Sequence, residues 1–330
     1  MWQSLCNGRG FEGVRMAIDQ NDAAIPPLWR RIVDFPLVAM VIAMATFVLA
    51  SFLTTLAMRA LPFEKGELKA LVGAAIIITL VLIGYKLVIR RLGEDPRDDL
   101  AARHALRDLG LGLGGGVLLF SLVVGVAALA DVYNIVGEGG TATLLMTLVT
   151  VAILPGFIEE VLFRGILFRF LEAFGGSWFA LALTSALFGL GHYWNDNATA
   201  FSSFAIAVEA GVLLGGAYML TRSLWAPIGL HAAWNFTQGF IYDVPVSGFD
   251  QTGLVEAKLS GPDYLSGGLF GLEASVIALV IATAAGIWLV VRAARAGHVV
   301  RPWWVRRRLA QNAASSQEAV GVDIDRDADL

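Results

Sequence analysis

The chain has 330 residues but only one cysteine, four histidines and few charges, with Asp, Glu, Lys and Arg making up 16 % of it. A soluble domain carries roughly 25 % charged residues. Cys6 alone excludes an intrachain disulfide and a thiolate-rich metal site. With no long basic tract and a net charge of −4, the chain lacks an electrostatic footprint for nucleic acid. Residues 1–35 hold charges of both signs with Pro26 and Pro27, and lack the apolar core and small-residue cleavage site of a secretory signal. The first hydrophobic segment is therefore expected to stay as an anchor.

Apolar surface fills the space that charge leaves. Hydrophobic residues reach 57 %, against roughly 45–50 % in soluble domains even when glycine is counted. Eight apolar stretches lie near the length of about 20 residues that a helix needs to cross hydrocarbon. They run near 36–58, 68–89, 109–132, 141–173, 177–193, 198–221, 224–244 and 269–291. Unpaired backbone is too costly in lipid for other structure, and no alternating barrel pattern is present. The expectation is an all-α, polytopic integral membrane protein with about eight transmembrane helices. There is no internal repeat.

Arginine placement orients these spans. With the N-terminus inside, the inner loops hold Arg30 and Arg31, then Arg90, Arg91, Arg97, Arg103 and Arg107. Arg169, Arg222 and a tail cluster from Arg292 to Arg308 follow on the same side, whereas Arg59, Lys65, Lys69 and Lys258 fall outside. The bias predicts an N-in, C-in topology. The segments are then an inner N-terminal segment (1–35), N-terminal helices (36–140), a core (141–244), an outer loop with the last helix (245–291) and a basic tail that becomes disordered (292–330). Trp303 and Trp304 read as an interfacial anchor or a plain stop-transfer flank. Gly112 with Gly116, and Gly211 with Gly215, have the spacing of close helix packing.

Charges at membrane depth cost about 2.5–3.5 kcal/mol each on insertion scales, so each needs a reason. The fourth stretch carries Glu159, Glu160 and Arg164. Glu160 and Arg164 are four residues apart and can pair, and Glu159 points about 100° away, uncommitted to that pair. Pro155 leaves a carbonyl without its helical partner, which suits a hydrated cavity. The fifth stretch ends in Phe188-Gly189-Leu190-Gly191-His192, and the seventh places His231 and Asn235 on one helix face. Any one of these is ordinary: a structural ion pair, or an interhelical hydrogen-bonding group. Glu209 has no evident partner. An acid, two imidazoles and an amide on consecutive helices are harder to dismiss.

In this order the motifs Glu159-Glu160-x-x-x-Arg164, Phe188-x-x-x-His192 and His231-x-x-x-Asn235 resemble the CAAX-protease and bacteriocin-processing (CPBP, or Abi) family of intramembrane proteases. That family includes the type II CAAX prenyl endopeptidases. The resemblance covers residues 141–244. It implies that Glu159 activates water with His192 assisting, that His231 and Asn235 flank the scissile carbonyl, and that Glu160 and Arg164 support them. It also implies a membrane-associated peptide or protein substrate and a multi-pass site in a cell membrane, here expected to be bacterial and cytoplasmic. A zinc held by Glu159, His192 and His231 is an open alternative to a metal-free glutamate–histidine pair, since two histidines and a carboxylate are a known zinc set. The metal-free pair is preferred, because no H-E-x-x-H helix is present. Two other classes stay in view: a transporter using Glu159, His192, His231 and Glu209 as a proton relay, and a non-catalytic scaffold.

Overall fold

The computed structural model describes residues 27–62, 66–313 and 315. The expectations for residues 1–26 and for the acidic tail after 315 lie outside the described residues. The chain is an all-α polytopic membrane protein. Its helices are α1 (Leu28–Val33), α2 (Pro36–Ala60), α3 (Glu67–Leu87), α4 (Ala105–Leu129) and α5 (Leu144–Gly175). These are followed by α6 (Ser177–His192), α7 (Ala200–Thr221), α8 (Trp225–Phe236) and α9 (Val276–Arg295). Among the described residues, six helices, α2 to α5 with α7 and α9, are long and apolar enough to cross a membrane.

Helices α6 and α8 are shorter, yet they join the same two ends of the bundle. At one end an arginine-rich layer ties the segments together. There Arg97 Nη2 donates to the Tyr218 hydroxyl at 2.9 Å, Arg222 Nη1 to Glu172 at 2.6 Å, and the Ser177 N–H to the Val300 carbonyl at 3.0 Å. At the other end Asn195 and Asn197 donate to the carbonyls of Ser247 and Gly248, both at 3.0 Å, and the Tyr133 hydroxyl donates to the Tyr242 carbonyl at 3.1 Å. Both α6 and α8 start in the arginine layer and finish at the opposite end. Five π-helical residues, Thr237–Ile241, prolong α8.

Three sequence expectations change. A strand pair forms where only helices were expected: β1 (Tyr133–Glu138) runs antiparallel to β2 (Val255–Leu259), with a register shift between Ile135 and Gly137. Segments leaving the helices thereby satisfy each other's backbone groups. The last helix starts at Val276 rather than near Leu269. Gly267, Gly268 and Gly271 take φ of +77°, +59° and +118°, which breaks the helix, and the Ser275 hydroxyl caps α9 by accepting from the Ala278 N–H. The tail, expected to lose order beyond Leu309, is helical over 303–313. Trp303 packs on Phe35 and donates to Glu94 at 3.0 Å, and Trp304 packs on Phe174, so both rings dock on the protein.

The glycine spacing has the expected consequence. A Cβ on Gly112 would lie 2.2 Å from the Ala226 carbonyl oxygen, and one on Gly116 would lie 2.5 Å from that of Leu230. Helices α4 and α8 therefore meet backbone to backbone. This contact holds α8, with His231 and Asn235, in the centre of the bundle.

Candidate active site

Helix α5 is not uniformly α-helical. It runs as π-helix over Thr147–Ile153, α-helix over Leu154–Glu160 and π-helix again over Val161–Phe168. Such wide turns commonly mark functional segments, and here they flank the two glutamates. Pro155 supplies part of the cause. In α-helical register the Val151 carbonyl would accept from residue 155, which has no N–H. Asn235 Nδ2 donates to that carbonyl instead, at 2.9 Å. The freed carbonyl, expected to face a hydrated cavity, is thus satisfied by a side chain from α8.

Glu160 and Arg164 pair as expected, at 2.8 Å, and are 0 % and 1 % exposed. Arg164 also lies over the Phe188 ring, 4.9 Å from its centroid. The same Glu160 oxygen accepts from His231 Nδ1 at 2.9 Å. Since a carboxylate only accepts, Nδ1 carries the hydrogen, and Nε2 is left for other partners. The spacing of His231 from Asn235 gave no sign of this bond between α5 and α8.

Glu159 is half-buried and makes none of these contacts, and its Oε2 is enclosed without a hydrogen-bond partner. It lies within electrostatic range of His231 and Arg164. His192 Nδ1 donates to the Phe188 carbonyl at 2.8 Å, which frees Nε2 as a base. The Phe188 ring sits between the imidazoles, 4.6 Å from the His192 ring and 6.2 Å from the His231 ring. The structure thus gathers Glu159, Glu160, Arg164, His192, His231 and Asn235 around Phe188 and α8. Among the described residues no hydrogen bond joins Glu159 to His192.

A small cavity of about 30 Å³ opens beside this group, lined in part by His192, His231, Asn235, Ser247, Glu209 and Glu273. Glu273 was missed by the sequence reading. It is the sole ionisable residue in the apolar stretch 269–291, and the cost of intramembrane charge could have marked it. Ser247, on the loop after α8, carried no sequence signal.

Residues 141–237 match the family model described as type II CAAX prenyl endopeptidase Rce1-like. This segment is a CAAX-protease family domain. No curated protein and no solved structure matches the chain. The CAAX-protease domain contains every residue of the three motifs, and it ends before Ser247 and Glu273. Among the described residues no three His, Cys, Asp or Glu side chains are grouped as ligands for a metal ion.

Proposed function

We propose that the chain is an intramembrane endopeptidase that hydrolyses a peptide bond of a membrane-associated, CAAX-like substrate with water activated by Glu159 and His192. The observation that carries this reading is the division of labour in the glutamate pair. Glu160 is held by Arg164 and His231, while Glu159 keeps an enclosed oxygen with no partner. A carboxylate in that state is a competent general base, and a positioned base contributes roughly 10²–10⁴-fold to such a reaction. His192, oriented by the Phe188 carbonyl, presents Nε2 as the second acceptor for the same water.

The acceptor side falls to α8. Asn235 keeps one of its two amide hydrogens after serving Val151, and that hydrogen can meet the oxygen of the attacked carbonyl. His231 can donate there only from Nε2, because Nδ1 already serves Glu160, so it acts as an imidazolium. The Glu160 carboxylate beside it favours that charge. Loss of one such donor typically costs about 10²–10³ in rate.

Purified protein reconstituted with a quenched-fluorescent farnesylated CAAX-type peptide tests the proposal. Cleavage by the wild type and its loss in Glu159→Gln, with the fold retained, is the expected result. Proton-coupled flux without cleavage would assign the acids to a transporter instead, and wild-type protein inert in both assays would point to a scaffold.

A further inference from the structure

Two carboxyl groups on the site cavity have no part in the cleavage as proposed. Glu209 enters from α7 and Glu273 from the turn Leu272–Ala274, and they are 1 % and 3 % exposed. They are close enough to interact electrostatically. Glu209 Oε2 is buried on the cavity with no hydrogen-bond partner, whereas Glu273 Oε1 accepts from the Ser247 N–H.

The surroundings decide what such a pair can do. From α5, Arg164 Nη2 donates to the Ala210 carbonyl next to Glu209, but its charge is matched by Glu160. From α6 and α8 the titratable groups on the cavity are His192 and His231, and α9 contributes the apolar Ala282. Among the described residues on the cavity, the His231 imidazolium acts on Glu273, and a single positive charge cannot neutralise both acids. Two buried carboxyl groups that interact oppose each other's ionisation, which favours a proton on the pair. The cavity of about 30 Å³ has room for water beside both acids.

We propose that Glu209 and Glu273 hold a shared proton beside His192 and His231 and deliver it, through a water in this cavity, to the amine leaving the scissile bond. The inference rests on the protease reading and completes its proton balance. Glu159 takes one proton from water as the hydroxide oxygen bonds to the carbonyl carbon. When the C–N bond breaks, the leaving nitrogen gains the proton of the acid pair. Glu159 then releases its proton, and the pair is recharged from solvent. In this proposal Glu209 and Glu273 act through the cavity water, so they are positioning residues for proton transfer.

A change of leaving group tests this. The farnesylated peptide needs a protonated amine, whereas the same peptide with a thioester at the scissile bond releases a thiolate of pKa about 8.5, which needs no donor. Glu209→Gln and Glu273→Gln should each lower kcat for the peptide by about tenfold or more. KM should stay unchanged, kcat for the thioester should stay within about twofold of wild type, and the basic limb of the peptide pH profile should be lost. Equal losses on both substrates would mean a structural role and overturn the inference, as would full peptide activity in both variants. Glu159→Gln should stop both reactions. Wild-type protein that cleaves neither substrate would overturn the protease reading itself, and this inference with it.

Discussion

One oxygen of Glu160 accepts both from Arg164 on its own helix, at 2.8 Å, and from His231 on α8, at 2.9 Å. That shared acceptor fixes the ring plane of His231 and makes α5 and α8 a single polar unit inside an apolar bundle. Three partners whose sequence positions span 71 residues are thereby locked together.

Removing one member leaves the others buried and unmatched. Arg164→Met should destabilise the protein by about 3–5 kcal/mol, the usual cost of stranding a buried charge. Glu160→Gln keeps an acceptor but strands the Arg164 charge, so it should cost a similar amount. Thermal denaturation in detergent measures both, and an Arg164→Met protein as stable as wild type would dissolve that polar unit.

The contact between α4 and α8 makes a steric prediction with an internal control. Gly112→Ala places a methyl group where backbone stands 2.2 Å away, whereas a Cβ on Gly110 would meet nothing within 4 Å. Overpacking of this kind costs roughly 1–3 kcal/mol. Gly112→Ala should lower Tm and activity together, while Gly110→Ala should leave both at the wild-type level or slightly above.

Asn235 and Pro155 should prove coupled. Asn235→Ala leaves the Val151 carbonyl without its side-chain donor, a loss worth about 1–3 kcal/mol for a buried polar group. In a Pro155→Ala background the restored N–H can take that carbonyl, so Asn235→Ala should cost less there. A double-mutant cycle reads the difference directly. Strict additivity would show that the missing N–H of Pro155 is not what Asn235 replaces.

The arginine-rich layer gives a pH dependence. Burial pushes the Asp98 carboxyl up, but the Lys86 ammonium at 2.8 Å outweighs it, with help from the Leu100 N–H and Arg90, and the net shift is downward. A depressed folded-state value means stability that is present above the ordinary aspartate range. It is lost as pH falls from about 4 through the folded value. Lys86→Met should therefore flatten the acid side of a Tm-against-pH curve. An unchanged acid limb would mean that this pair contributes nothing to the fold.

Much of this was legible in the chain itself. Low charge and long apolar stretches fix an all-helical membrane protein, because backbone in lipid must bond within its own segment. The step from Glu160 to Arg164 fixes their pairing, since residues four apart share a helix face. The spacing of Gly112 and Gly116 announces a tight helix contact without naming the partner. Helical periodicity also oversteps at its edges: 269–275 looks apolar enough for a helix, but Gly267, Gly268 and Gly271 turn the chain before Val276.

The amino-acid order by itself determined which residues stand within helices and which of them share a face, because both follow from a local repeat of about 3.6 residues per turn. Only the tertiary structure decided that His231 bonds Glu160, that Asn235 serves Val151, and that Glu209 meets Glu273 across a cavity. Each of those pairs joins different elements. Their meeting depends on how helices rotate and slide against one another, a packing outcome of the whole bundle that no single segment's pattern encodes.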